Sequence, residues 1–288
     1  MRLIKRLTRF LLLFVLLLLG RFLYPLLYQL FIPAGSVSTA RQTLMIAHRG
    51  ASGVAPENTL AAFAKALDQG ADMLELDIHL SRDGIPVVIH DATLERTTNG
   101  HGRVVEYDLA ALKQLDAGSW FASEYAGERI PTLDEVLTLV NGRAPVIIEF
   151  KWDKEEGYYP QMAAKVAAII RAHQASGWCW VQSYEQRYLD EMYRLLPEVP
   201  LVKCFIGVWS GPLGFYYDTG FHWGSYRPAN YLQGINLYYR TLTRSQVANW
   251  QQAGLQVWSY TVNDPKNMNR QVNLGVDGII TNYPDAEY

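Results

Sequence analysis

The stretch MLELDIHLSRDGIPVVIHD, Met73 to Asp91, sets Glu75, Asp77, His79 and His90 into a frame of Leu, Ile and Val. That frame has the composition of a buried strand pair, where charges are costly unless they are paired or bound to metal. Two other segments carry the same mixture. AHRG ends an apolar run with His48 and Arg49, and VIIEFK sets Glu149 and Lys151 two residues apart, hence on one face of a strand. Three carboxylates converging at low dielectric repel one another. One divalent cation removes the conflict, and an all-carboxylate set suits Ca2+ or Mg2+ better than Zn2+. His48 and His90 then form an acid–base pair beside the metal ligands Glu75, Asp77 and Glu149. Arg49 and Lys151 remain as cations for an anionic group, for which phosphate is the natural guest. Together these residues point to metal-assisted phosphodiester chemistry. His79 shares the parity of Glu75 and Asp77 but is expected to be a polar rim residue without a role. His101, His173 and His222 are expected at the surface.

Such a set requires strands whose ends meet. Short apolar strands recur at LMIAHRG, MLELDIHL, PVVIHD, APVIIEFK, WCWVQSY, PLVKCFIG, GINLYY, LQVWSYTV and DGIIT, with helix-patterned segments between most of them. This alternation predicts a parallel α/β barrel. No G-x-G-x-x-G loop follows the first strand, which disfavours a doubly wound open sheet. SRDG is too short for a parallel crossover, so its flanking strands form a hairpin and eight strands are left for a (β/α)8 TIM barrel. With Asp83-Gly84 as a two-residue turn, Asp77 faces His90, and Glu75 lies on the same face. The polar region from about residue 91 to 129 is expected to be a small insertion over the barrel mouth.

The sequence resembles the glycerophosphodiester phosphodiesterase family. The resemblance rests on AHRGASGVAPENTLAAF (47–63), GADMLELDIHLSRDGIPVVIHD (70–91), LERTTNGHG (94–102), IPTLDEVL (130–137), IIEFK (147–151), VQSY (181–184), VWSYTVND (257–264) and DGIITNYPD (277–285). It implies a barrel with a small insertion after the second histidine, and hydrolysis of glycerophosphodiesters to glycerol-3-phosphate and an alcohol. It further implies His48 as proton acceptor, His90 as proton donor, metal ligation by Glu75, Asp77 and Glu149, and phosphate-side roles for Arg49 and Lys151. Glu57, in PENT, is implied on the metal side, and Trp258 in the glycerol or headgroup pocket. Tyr260 stands where the family commonly has Trp, and Asn282 where Asp is frequent.

Composition bounds the rest. The chain has 288 residues, 49% of them hydrophobic, and a formal charge of -2. Residues 1–40 hold five basic residues and no acidic ones, leaving 21 basic against 28 acidic, a balance of -7, for the remainder. Such a domain is a poor nucleic-acid binder. From Phe10 to Ile32 the chain offers 23 residues broken only by Arg21, enough to span a bilayer core of roughly 30 Å. Residues 1–40 are therefore expected to be an uncleaved single-pass anchor and linker. The N-terminal basic cluster puts that end in the cytoplasm, and residues 41–288, the catalytic domain, on the extracytoplasmic side. Ser38-Thr39-Ala40 resembles a signal cleavage site but lies about twenty residues past the Leu run, too far for an ordinary signal. Cys179 and Cys204 are open to pairing or to burial as free thiols. The aromatic stretch 205–233 is expected to be an irregular loop at the mouth, which keeps a lysolipid substrate, and so a lysophospholipase D activity, in view. A tethered binding protein without catalysis is the rival reading, disfavoured by the histidine pair. Neither the nucleophile, water or a neighbouring hydroxyl, nor the headgroup is legible.

Overall fold

The structure, a computed structural model, describes residues 43–152, 157–209 and 214–288. The expected anchor lies outside these residues, and among the described ones no helix is long and apolar enough to cross a membrane. The elements begin with β1 (Leu44–His48), α1 (Leu60–Asp68), β2 (Met73–Leu80), β3 (Pro86–Val88), α2 (Leu109–Leu112), α3 (Leu133–Val140), β4 (Val146–Phe150), α4 (Met162–Ala172), β5 (Cys179–Ser183) and α5 (Gln186–Leu195). They continue with β6 (Leu201–Phe205), β7 (Gly207–Trp209), β8 (Phe215–Tyr217), β9 (Phe221–Trp223), β10 (Gly234–Tyr238), α6 (Arg244–Gln252), β11 (Gln256–Tyr260), α7 (Pro265–Leu274) and β12 (Gly278–Thr281).

A nine-stranded sheet runs β1-β12-β11-β10-β6-β5-β4-β2-β3, and β1 also pairs with β2, so the sheet closes and leaves β3 outside. The eight closed strands pair in parallel, as a TIM barrel requires. Side-chain alternation divides each strand between two cores. Leu74, Leu76 and Ile78 of β2 join the outer core under the helices. Met73 joins Ile46, Ile147, Val202, Trp258 and Ile280 inside the barrel. Steps of two residues from the inner set, towards the C-terminal strand ends, reach His48, Glu75, Asp77 and Glu149. The helices start where local chemistry tells them to. Thr59 caps α1, Thr132 and Thr243 make capping boxes with Glu135 and Gln246, and Asp264 caps α7 ahead of Pro265.

The hairpin register differs from the expected one by a residue. Ile78 opposes Val88, His79 opposes Val87 and Leu80 opposes Pro86. The loop is the three-residue Arg82-Asp83-Gly84, closed by Ser81 N–H on Ile85 O at 3.0 Å, with Gly84 at φ +74°. A glycine in the left-handed region suits such a turn. Asp77 therefore opposes Ile89, whose N–H it accepts at 3.0 Å, and His90 is not its cross-strand partner.

Two further features depart from expectation. Among the described residues no helix joins β6 to β10. The aromatic stretch, expected as an irregular loop, instead forms the three-stranded antiparallel sheet β7-β8-β9. Cys179 and Cys204 are free and buried, and burial pushes the Cys179 thiol up to about 12. In the region expected as an insertion, Leu94, Val104, Leu112 and Ala117 pack with Val87, Ile89 and Ile130 in a cluster separate from the barrel's two cores.

Candidate active site

Parallel pairing places the acidic residues. Register sets His48 beside Glu75 and Asp77 beside Glu149, so strands β1, β2 and β4 bring their inward polar positions to one level. Glu75, Asp77 and Glu149 each offer an oxygen within 4.8 Å of the others', and all three are buried. Neighbours hold them there. Arg49 N–H donates to Glu75 Oε2 at 3.0 Å, Asn58 Nδ2 to Asp77 Oδ2 at 2.9 Å, and Gln182 Nε2 to Glu149 Oε2 at 2.9 Å. Lys151 Nζ lies 3.2 Å from Asp77 and 2.6 Å from Glu149.

The β1 tip is strained to make these contacts. Arg49 and Asn58 both have φ 58°, a conformation that non-glycine residues seldom adopt and that clusters at functional sites. It lets Arg49 serve three carboxylates: Glu75 by its main chain, Glu57 by Nη1 at 2.7 Å, and Asp77 by an ion pair from Nε at 3.1 Å without hydrogen-bond geometry. Gly50 follows at φ +78°, where a Cβ would stand 2.6 Å from the Ala62 main chain.

These residues fit a hard divalent cation. Their donors are all carboxylate oxygens, the preferred ligands of Ca2+ and Mg2+. Burial, with the charges of Asp77 and Glu149, drives the Glu75 carboxyl well above its usual range. Burial also opposes ionisation of Asp77, but Lys151, His90 and Arg49 hold it well below. Burial thus penalises charge on the cluster, and the neighbouring cations offset that penalty at Asp77 but not at Glu75.

The two histidines are held differently. His48 Nδ1 lies 2.7 Å from Asn282 Oδ1. An amide oxygen can only accept, so Nδ1 carries the proton and Nε2 keeps a lone pair. Burial and then the Arg49 charge lower the ring's pKa to about 3. His90, two residues beyond β3, places Nδ1 2.6 Å from Asp91 Oδ1. His90 and Arg96, against burial, hold the Asp91 carboxyl well below the usual range. Arg96 binds Asp91 through Nε at 2.5 Å and Glu57 in a two-pronged contact, 2.8 Å on each prong. Asp91 and Glu57 are thereby tied together, and through Glu57 so is Arg49.

His79 is not a rim residue. It is 2% exposed, stands edge-on to Tyr159, and its Nε2 donates to the His90 carbonyl at 3.1 Å. Its Nδ1 is buried without a hydrogen-bond partner among the described residues. Trp258, expected in the substrate pocket, is fully buried in the inner core. Its ring centroid is 5.2 Å from that of Trp180 and its indole N–H donates to Gln256. Of the other histidines, His101 and His222 are exposed as expected, while His173 is half-buried and bonded to Asp134. A cleft of about 790 Å³ opens at the opposite end of the barrel, lined by Thr43, Trp180, Gln256 and Asp277 among others, away from the carboxylates.

Asn58, Gln182, Asp91, Arg96 and Asn236, which donates to Gln182 Oε1 at 3.0 Å, were not legible as parts of this site. Gln182 and Asn236 carried one usable signal, an amide at an inward parity in an otherwise apolar strand.

Residues 48–286 match the model of the glycerophosphoryl diester phosphodiesterase family. A glycerophosphodiester phosphodiesterase of Bacillus subtilis is 34% identical over 265 residues, covering 87% of each chain. One from Caldanaerobacter subterraneus is 34% identical over 247 residues, 85% of this chain and 96% of the relative. Among solved structures, an Oleispira antarctica phosphodiesterase in complex with the product sn-glycerol-3-phosphate superposes with a TM-score of 0.71 at 31% identity, over 85% of this chain and 94% of that one.

Proposed function

The chain belongs to the glycerophosphoryl diester phosphodiesterase family, and from that premise we propose that it hydrolyses glycerophosphodiesters to glycerol-3-phosphate and an alcohol, with His48 and His90 as its acid–base pair. The observation that carries this reading is the unequal holding of the two rings around one buried carboxylate cluster. His48 Nε2, with its lone pair free, takes the proton of the attacking hydroxyl or water. His90, whose Nδ1 is taken by Asp91, hands a proton through Nε2 to the leaving alcohol oxygen as the P–O bond breaks. Arg49 and Lys151 orient the phosphate and hold negative charge at the mouth. Glu75, Asp77 and Glu149 would hold one Ca2+ or Mg2+, which when bound polarises a phosphoryl oxygen.

The test is release of glycerol-3-phosphate from glycerophosphocholine with added Ca2+ or Mg2+, with and without chelator, by wild type and His48→Ala. Cleavage by wild type alone, lost in chelator, is expected. No cleavage under any condition would leave the tethered binding protein as the better reading. Lysophosphatidylcholine, which carries the same glycerophosphodiester unit on one acyl chain, is a second substrate, favoured by the apolar side chains exposed around the mouth. We further propose that residues 10–32 anchor the chain with the barrel outside the cytoplasm. A reporter active only outside the cytoplasm, fused after Tyr288, should be active; silence would invert the orientation.

A further inference from the structure

Exposed apolar side chains are unevenly distributed over this molecule. Among the described residues, the large hydrophobic side chains more than a third exposed lie, apart from Tyr193 on α5 and the last residue Tyr288, on segments that leave the C-terminal ends of barrel strands. Trp120 sits on the insertion, Ile206, Tyr217, Phe221 and Trp223 follow β6, and Tyr283 follows β12. The same strand ends carry His48 and the carboxylates. The mouth is therefore ringed by exposed apolar groups drawn from separate loops.

The largest contribution comes from β7-β8-β9, where a barrel helix would ordinarily stand. Trp209 stacks on Phe215 at 4.5 Å, Phe215 lies 5.3 Å from Phe221, and Phe221 meets Trp223 edge-on at 5.0 Å. Phe221 is 51% and Trp223 73% exposed. The sheet is pinned firmly to the barrel. The ammonium of Lys203, a residue 1% exposed, pairs with Asp218 at 2.9 Å and donates to the Tyr184 carbonyl, while His222 binds the same Asp218 and stacks on Tyr216. A buried cation is thus committed to holding an exposed aromatic face in place. β9 is an edge strand, and residues 214–225 contain neither lysine nor arginine, the charges that commonly protect such an edge from other chains. Among the described residues Phe221 and Trp223 of this strand stay exposed to solvent.

We infer that the barrel mouth is a membrane-docking face, its aromatic sheet seated in the interfacial zone of the bilayer to which the chain is anchored, so that the active site opens onto lipid headgroups. Trp, Tyr and Phe are the side chains that favour this zone, where an apolar ring and a polar tip are both accommodated. The contributions from separate loops around an opening suit a plane better than a self-complementary strip. The tether is also long enough. Residues 33–42 can reach about 33–36 Å, roughly twice the ~17 Å rise of a five-residue strand such as β1. The chain can therefore leave a bilayer at the mouth and still enter β1 from the other end. The inference rests on the anchor reading and is independent of the catalytic one.

The full-length chain in phosphatidylcholine nanodiscs tests it, with a single environment-sensitive fluorophore attached at Trp223→Cys or, at the opposite end of the barrel, at Gln252→Cys. Cys179 and Cys204 are buried, so the introduced thiol takes the label. Emission at 223 should shift to the blue and be quenched about twofold by nitroxide-labelled lipid, as a side chain in the interface is, while the label at 252 responds to neither. Tyr217→Cys repeats the measurement should the first variant fail to fold. Lack of lipid quenching at the mouth, or quenching at 252 in its place, overturns the inference. A blue shift at 223 that grows with protein concentration but ignores nitroxide lipid also overturns it, in favour of a second copy on the same face. Flotation of the wild-type chain with vesicles after an alkaline wash scores the anchor separately, and glycerophosphocholine hydrolysis scores the enzyme.

Discussion

His48 and His90 both lie within electrostatic reach of Asp77 and are positioned by opposite means. His48 ends a strand with parallel partners on both sides, and its ring faces a neutral amide. His90 lies beyond the end of β3, held by Asp91 on its ring and by His79 on its carbonyl. A ring with a neutral partner and a pKa lowered to about 3 keeps a lone pair across the working pH range. A ring backed by a carboxylate tolerates the positive charge that a proton donor carries. On the proposed reading the difference teaches that the two roles follow from the second nitrogen's partner, one ring being placed by ladder hydrogen bonds and the other by a side-chain network.

The most severe way to break this comparison is to remove each ring. His48→Ala and His90→Ala should each lower kcat on glycerophosphocholine by about 10²–10⁴-fold, the usual worth of positioned acid–base groups. A substrate with a p-nitrophenyl leaving group separates the two, because a phenolate departs without a proton. His90→Ala should recover most of its loss on that substrate and His48→Ala should not. Equal behaviour would end the division of roles. Glu149→Gln should cost a comparable amount on both substrates and weaken metal affinity, measured by calorimetry with Ca2+ and Mg2+, since it removes a charged ligand whichever proton moves.

A gentler perturbation makes the two halves alike. Asn282→Asp gives His48 the kind of partner His90 has, and a carboxylate at that distance raises a pKa by about 1–3 units. The acid limb of kcat/KM should move upward in pH, with the rate on the alkaline side little changed. The sign for stability follows from the same shift. The folded pKa lies below the ordinary 6.5, so the unfolded chain binds the extra proton and stability falls as pH drops from 6.5 towards 3. Asn282→Asp should lessen that fall in denaturant titrations at pH 5 against pH 7; an unchanged difference would show that the Asn282 contact does not govern His48.

Much of this was legible in the sequence, for identifiable reasons. The eight-strand count followed from the strand–helix alternation and from a loop too short for a crossover, and parity alone put Glu75 with Asp77 and Glu149 with Lys151. The hairpin register was not legible, because SRDG satisfies both a two-residue turn and a three-residue turn with Gly84 left-handed, and only packing chooses between them. His90 reaches the site despite the slip because it lies past the strand, where parity no longer governs. The aromatic sheet escaped notice because its strands are three residues long and separated by glycines. Asn58 and Gln182 escaped because amides do not betray burial as charges do. Arg96 and Asp91 escaped because a clamp between loops has no periodicity.

The smallest expected effect concerns His79, which touches neither carboxylate nor phosphate in the proposed reaction. Among the described residues its only hydrogen bond is the one given to the His90 carbonyl, so the influence on catalysis proposed for it passes through the placing of His90. His79→Phe keeps a ring against Tyr159 but leaves that carbonyl without its donor, a loss worth about 1–3 kcal/mol where the acceptor stays buried. His79→Gln restores an N–H at a similar reach. If His79 positions the proton donor, His79→Phe should lower kcat on glycerophosphocholine about tenfold, His79→Gln should recover most of it, and neither should matter for the p-nitrophenyl substrate. A loss of equal size on both substrates, tracking a lowered Tm, would mean that His79 merely supports the hairpin. The comparison of the two histidines would then rest on Asp91 and Asn282 alone.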